Sequence, residues 1–554
     1  MKPMMPTLRL KKMPHLNYQK GLNMKTGLTQ FLLPLTVLIG IAGCSSKTDT
    51  RLDSDMTGFA PEVNYACYEG QNDACDLRIY QVMVESFVNG DNKTNYDQGY
   101  GTSHHKGDLQ GVIDSLDYIK SLNVNAIWMT PVFDSCKGEA GNIKLDATGY
   151  FACDYFNVDP NFGSNKKLKE LIDKAHEKGL FVLLDGVFGH TNKAQLKSSP
   201  TGKMPKLKAG DSGYPGQLVV YPDAGSEAFF TEVATYWIAE YKIDGWRLDQ
   251  AYQIPVDSWA NIRQAVEAAS AKNRAEGSVW GTLGYMVGEV WNSAGYITET
   301  AYGTETHPAL KSAFDFPLRY GLVQALAVEE SGTAGDATKL NADWNKIENY
   351  PPHAMPNLML GNHDLVRFAD LIQRGHLSDT IQRHKAAFSF MAAYSGPITF
   401  YYGEEIADEV PDFSYKVSSN CVERGLCDDH VARSSGKIEG VTDGVVLTPE
   451  QKALKSWLSK LMRVRSENPA LYNGRRTNLL TTSSLYADLK TYQGEQVVYV
   501  LNTADSDTRF DLNMSALKAT DKLVDLMTGE EITTSSGTTS VDVPALTGRL
   551  LKVE

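Results

Sequence analysis

The chain has no Cys-x-x-Cys pair, no Cys/His spacing suited to a metal and no G-x-G-x-x-G turn after its first apolar run, so zinc-ribbon, dithiol and dinucleotide-binding readings have no support. Basic residues are in deficit, 54 Lys and Arg against 67 Asp and Glu for a net charge of −13. An electrostatic grip on phosphate backbones is therefore a poor expectation, and no nucleic acid is expected as a partner. The 46 Gly and 22 Pro in 554 residues are too few and too scattered for a collagen-like or low-complexity chain. What remains is an ordinary globular composition, 42% hydrophobic, with enough length for a large core.

The apolar run from Phe31 to Gly43 is too short to cross a bilayer comfortably, but it suits the core of an export signal flanked by Lys25. Ile41-Ala42-Gly43-Cys44 resembles a bacterial lipobox, which makes 1–43 a signal peptide and Cys44 the lipidated first mature residue. The expected location is thus a membrane reached by export, with Ser45 pointing to the outer membrane and 44–76 forming the tether and N-terminal segment. Six cysteines remain, and nearness in sequence favours Cys67–Cys75, Cys136–Cys153 and Cys421–Cys427.

From residue 77 the chain alternates apolar runs with amphipathic stretches. Leu168, Leu171, Ile172 and Ala175 share one helical face, and the following Leu180–Leu184 is apolar without alternation, as a strand buried on both faces should be. Further runs at 79–84, 124–129, 243–248, 285–290, 312–316, 357–361 and 397–401 bring the strands to eight, with helices expected at 109–122, 226–242, 255–274, 378–394 and 450–467. The expected fold is an α/β (β/α)8 TIM barrel over 77–467, with a small inserted subdomain, 133–165, after strand 3, and a C-terminal antiparallel β-sandwich over 468–554.

In such a barrel the chemistry collects at the carboxyl ends of the strands. Asp185 and His190 follow the third apolar run, Arg247 and Asp249 lie at the fourth, Glu289 at the fifth, and His363 and Asp364 at the seventh. The segments GYFACDY (149–155), DGVFGH (185–190), GWRLD (245–249), GEVW (288–291) and GNHDLVR (361–367) together, and in this order, resemble the α-amylase family of glycoside hydrolases across most of 77–554. The resemblance implies that Asp249 is the nucleophile, Glu289 the general acid/base and Asp364 a carboxylate stabilising the transition state. It further implies sugar contacts from Tyr150, His190, Arg247, His363 and Arg367. Retaining hydrolysis of an acetal needs such a pair, one carboxyl ionised and one protonated, flanking the anomeric carbon.

The implied substrate is an α-1,4-glucan or maltooligosaccharide, and no organic cofactor is needed. The alternatives are an α-glucosidase or transglycosylase, in which a sugar acceptor competes with water, or a non-catalytic glycan-binding or assembly lipoprotein on the same fold. The chain departs from the family where Gly189 replaces the usual Asn before the histidine, where Gln250-Ala251-Tyr252-Gln253 replaces the Lys-His pair, and where Thr148 replaces a His. The first two departures remove supports of a structural calcium site. A second Ca²⁺ site is expected from Asn89, Asp91, Asn95 and Asp108, hard oxygen donors in a turn near the first strand.

Overall fold

The computed structural model describes residues 65–70, 72–136, 142–193, 195–210, 214–346, 350–410 and 428–554. The signal peptide, Cys44 and the Cys421–Cys427 pair lie outside the described residues. Among the described residues no helix is long and apolar enough to cross a membrane.

The eight apolar runs form eight strands: β1 (Arg78–Val82), β2 (Ala126–Met129), β3 (Phe181–Gly186), β4 (Gly245–Leu248), β5 (Tyr285–Gly288), β6 (Ser312–Ala313), β7 (Leu358–Met359) and β8 (Ile398–Tyr401). Their pairings are all parallel, in the order β6-β5-β4-β3-β2-β1-β8-β7. A parallel bridge between Phe314 and Asn357 joins the two ends of that order, with Asp315 N–H donating to the Asn357 carbonyl at 2.9 Å. The sheet is thereby closed into a barrel.

Helices face the strands where amphipathic spacing placed them. They include α1 (Leu109–Asp114), α2 (Leu116–Ser121), α3 (Asn165–Glu177), α4 (Ala224–Tyr236), α5 (Val256–Ala275), α6 (Phe316–Leu326), α7 (Thr380–Ala392) and α8 (Pro449–Glu467). In α3 the buried Leu168, Leu171, Ile172 and Ala175 are the face read from the sequence, and Ser164 caps its start by accepting from Lys167 N–H.

The inserted segment 133–165 follows β2, one strand earlier than expected, because the third barrel strand begins only at Phe181 after α3. It contains a short antiparallel pair, Phe133–Asp134 with Asp154–Val158, and the Cys136–Cys153 disulfide. The long loop that does follow the third strand is 187–223, with its own short pairing of His190–Thr191 with Gln217–Leu218. Cys67 and Cys75 also form a disulfide.

The C-terminal region forms β9 (Arg475–Thr481), β10 (Leu485–Tyr492), β11 (Glu495–Asn502), β12 (Thr508–Asn513), β13 (Lys522–Asp525), β14 (Glu531–Thr533), β15 (Thr538–Val543) and β16 (Gly548–Val553). One sheet runs β9-β10-β11-β16-β13-β14 and the other pairs β12 with β15, all antiparallel. Alternation assigns the faces: Leu485, Ala487 and Leu489 of β10 pack with Phe510, Leu512, Val541 and Val543 between the sheets, while Tyr486 joins the core of the barrel.

Candidate active site

Strand register brings the expected carboxylates together. Leu248 of β4 pairs with Gly288 of β5, so Asp249 and Glu289 occupy the next rung, and adjacent strands run about 4.8 Å apart. Backbone bonds carry the ladder through this rung: Glu289 N–H donates to the Leu248 carbonyl at 2.9 Å and Asp249 N–H to the Gly186 carbonyl at 3.0 Å. Gln250 then turns left-handed, φ 40°, which ends the strand and releases Asp249 at the mouth.

Within β4 the pleat sends neighbouring side chains apart. Trp246 faces outward, its indole N–H donating to the Ala234 carbonyl of α4, and Arg247 faces the barrel interior. The Arg247 guanidinium, fully buried, is shared by three carboxylates. Its Nη1 donates to Asp185 at 2.9 and 3.0 Å and to Asp249 Oδ1 at 3.0 Å, while Nη2 lies 2.9 Å from Glu289 Oε1. One planar cation therefore touches both candidate acids at once.

The electrostatics follow from this arrangement. Asp185, Asp249, Glu289 and Asp364 face two guanidiniums, Arg247 and Arg433, and two histidines that burial keeps neutral, His190 lowered to about 4 and His363 to about 3. With more carboxyls than cations in a water-poor pocket, a proton is retained. Burial raises Glu289 to about 7, opposed by Arg247 and assisted by Asp249 and Asp364. Burial also raises Asp249, so the pair holds one shared proton near neutral pH, and the hydrogen bond from Arg247 favours the ionised form at Asp249. Asp364 is lowered to about 2, since His363, Arg433 and Arg247 together outweigh its burial.

Four of the sugar-contact candidates, Tyr150, His190, Arg247 and His363, gather at the carboxylates. Tyr150 Oη donates to Asp185 Oδ2 at 2.8 Å, lies 2.8 Å from His363 Nε2, and its ring stacks on His363 at 5.4 Å between centroids. His190 Nε2 lies 4.0 Å from Asp249 Oδ2. His363 Nε2 lies 3.2 Å from Asp364 Oδ2. Asp185 steadies its neighbours: it accepts from Arg247, Tyr150 and the Trp128 indole.

Several participants escaped sequence reasoning. Gln81 of β1 lies 2.8 Å from His363 Nδ1, and Arg433 donates to Asp364 Oδ1 at 2.6 Å and to the His363 carbonyl at 3.1 Å. Conversely, Arg367 does not join the carboxylates. It donates to the Tyr402 carbonyl at 2.8 Å and to Ser434 at 2.9 and 3.2 Å, with Asp408 at 3.7 Å, so its donors are spent behind the pocket. Trp291, two residues after Glu289, is 43% exposed and stacks on Phe316 at 5.4 Å.

The expected calcium loop is held largely by its own hydrogen bonds. Asp108 is the N-cap of α1: Oδ1 accepts from Gly111 N–H at 2.8 Å and Oδ2 from Gly90 and Asp91 N–H at 3.0 and 2.8 Å. Asp91 accepts from Lys93 N–H and Thr94 Oγ1–H, and Asn95 donates to the Asn92 carbonyl. Among the described residues no group of three or more His, Cys, Asp or Glu is arranged to hold a metal ion. One oxygen nonetheless fits a hard cation, the buried Asn89 Oδ1, which has no hydrogen-bond partner.

The family model described as "Alpha amylase, catalytic domain" matches residues 81–204 and 224–424. Among solved structures, AmyP in complex with maltose is 49% identical, with a TM-score of 0.82 over 87% of this chain and 97% of that one. A variant of the same protein in complex with maltotriose superposes with a TM-score of 0.81. Among curated relatives, a cyclomaltodextrinase of Thermoanaerobacter pseudethanolicus is 27% identical over 79% of this chain and 72% of its own length. A maltogenic alpha-amylase of Bacillus acidopullulyticus is 26% identical over 86% and 78%.

Proposed function

Because the chain belongs to the α-amylase family and is a glycoside hydrolase, we propose that it cleaves α-1,4-glucosidic bonds of maltooligosaccharides or starch-like glucans by double displacement. The observation that carries this reading is Arg247, whose one guanidinium contacts both Asp249 and Glu289 on adjacent rungs of the barrel. That spacing suits the short carboxyl separation of retaining enzymes, about 5–5.5 Å. Asp249 attacks the anomeric carbon as the bond to the leaving oxygen breaks, and Glu289 gives its proton to that oxygen. Glu289, now ionised, takes a proton from water, whose oxygen attacks the same carbon and frees Asp249.

AmyP is in complex with maltose in one solved structure and with maltotriose in another, and one relative is a cyclomaltodextrinase, so the substrate panel is maltoheptaose, β-cyclodextrin, pullulan and starch. A time course followed by NMR should show α-anomeric maltooligosaccharides first. Initial release of the β-anomer would overturn double displacement, and no release from any of the four would overturn the substrate class.

Two accompanying proposals rest on sequence. Cys44 anchors the exported protein through lipid, in which case Cys44→Ser should move activity from the membrane fraction to the soluble one. Ca²⁺ binds at the Asn89 loop, where Asn89 and Asp91 would supply oxygens and the ion would brace the start of α1. An unchanged melting temperature after dialysis against a chelator removes that ion from the account.

A further inference from the structure

The position before His190 is Gly189, and the space its missing side chain leaves is filled. A Cβ built on Gly189 would lie 2.1 Å from Gln253 Oε1 and 2.6 Å from Gln253 Cβ. The backbone there is not left-handed, so a lack of room, and not a torsion, keeps a side chain out. In that space the Gln253 carboxamide sits with Oε1 3.1 Å from His190 Nδ1.

Its other end is 2.8 Å from Gln250 Oε1, which also accepts from Tyr252 Oη–H at 2.8 Å, and Gln250 Nε2 donates to Tyr214 Oη at 3.0 Å. The Gln250 backbone N–H donates to Glu289 Oε2 at 3.1 Å. A row of amides thus runs from the acid to the histidine, through the very segment, Gln250 to Gln253, that departs from the family pattern.

His190 needs such a partner. A neutral imidazole carries one N–H, and Nε2, 3.1 Å from the Tyr150 carbonyl and 4.0 Å from Asp249, faces the pocket. To donate from Nε2 to a carbonyl or a sugar hydroxyl, the ring must accept at Nδ1. A joint half turn of the Gln253 and Gln250 amides, with the Tyr214 and Tyr252 hydroxyls exchanging donor and acceptor roles, puts Gln253 Nε2–H on Nδ1 and a Gln250 N–H on Gln253 Oε1, so the amide row can hold the Nε2–H form, which a carboxylate at 253 cannot do. The other group near Nδ1 is Tyr214 Oη, at 3.3 Å.

We propose that Gln253 is the positioning residue for the sugar-binding histidine His190, and that Gly189 is the notch that admits it. The pair fixes ring orientation and tautomer in this chain through amides. The inference rests on the α-glucan reading for its kinetic readout alone.

The test uses the full exported chain with Gln253→Gly, Gly189→Ala, the double variant and the isosteric Gln253→Glu. Each is assayed on maltoheptaose, with imidazole nitrogen shifts read by NMR and with melting temperatures. Gln253→Gly should lower kcat/KM about tenfold, chiefly through KM, as loss of one hydrogen-bonded alignment does. Gly189→Ala should cost at least as much by displacing the carboxamide. The double variant should be no worse than the poorer single one, because both remove the same contact. Gln253→Glu should keep the melting temperature and move His190 away from the Nε2–H form.

Additive losses, a Gln253→Gly variant within twofold of wild type, or His190 shifts identical in all five proteins would each overturn the proposal. The nitrogen shifts need no substrate. A wild-type protein inactive on all α-glucans would sink the functional reading while leaving the positioning of His190 tested.

Discussion

Two of the completely buried arginines, Arg247 and Arg465, do opposite things. Arg247 at the mouth of the barrel is surrounded by carboxylates, and their attraction outweighs burial to raise its pKa. Arg465 on α8, at the opposite end, donates to carbonyl oxygens, those of Met391, Ala392 and Tyr394 at 3.4, 2.7 and 2.8 Å and that of Gly396 at 2.5 Å, and lies over the Tyr472 ring. With no carboxylate among those hydrogen bonds, burial prevails and lowers Arg465 to about 10. The first guanidinium tunes acids that must exchange a proton, and the second satisfies the orphan carbonyls at the end of α7. Removing charge should therefore be read in turnover at the mouth and in stability at the floor.

The largest expected effect lies at the mouth. Glu289→Gln keeps the shape but cannot cycle a proton, and kcat should fall about 10⁴-fold, the scale seen when one member of a catalytic set is removed. A loss under tenfold in a folded protein would break the assignment. At the floor, Arg465→Met takes a donor from four carbonyls, of which that of Met391 keeps the Tyr394 N–H, and unfolding should become easier by about 3 kcal/mol, with kcat/KM of the folded protein within twofold of wild type. Denaturant melts paired with kinetics separate the two outcomes, and an activity loss without a stability loss at Arg465 would erase the contrast.

A smaller effect concerns pH. Arg247 lowers the pKa of both Asp249 and Glu289, so weakening its grip should raise both. Arg247→Lys keeps one positive charge but loses the planar fork that bridges the two carboxylates. Activity needs Asp249 ionised and Glu289 protonated. The acid limb of the kcat/KM profile should therefore move to higher pH as Asp249 becomes harder to ionise, and the alkaline limb should follow Glu289 upward. A shift of about one unit corresponds to about 1.4 kcal/mol, and movement toward lower pH would contradict the charge argument.

How much of this was legible differs between the same two regions. Asp249, Glu289, Asp364, His190 and His363 could be found because each follows an apolar run and barrel chemistry sits at strand ends. Gln81 and Arg433 could not, since they become neighbours of His363 only when β1 and β8 close on β7, a contact with no local sequence mark. Asp108 suits a ligand set by its carboxylate, but an Asp three residues before a Gly–Val pair at a helix start is equally an N-cap, which is the role it takes. The insertion at 133–165 lies between the second apolar run, 124–129, and the third, 180–184, so counting the runs themselves places it after β2, where it is found. The sandwich was legible from alternation, yet which β10 face meets the barrel was not, and Lys490 shows why.

Lys490 lies on the barrel-facing side of β10, with no solvent exposure. Its ammonium bonds to Ser395 Oγ and sits 4.9 Å from the centre of the Trp344 ring, and the opposing charge acting on it is Asp488. Burial pulls its pKa well below the usual lysine value, so in the window below about 10.4 the unfolded chain binds the proton more tightly than the folded one. Stability should then rise with pH through that window, at no more than about 1.4 kcal/mol per unit from this group. Lys490→Met removes the titration and keeps an apolar stem of similar length, so its stability should depend on pH less steeply than that of wild type, most visibly between pH about 8 and 10. Parallel slopes for the two proteins would mean that Lys490 keeps its ordinary proton affinity, and that the floor of the barrel, like its mouth, tolerates a buried charge by supplying a counterion.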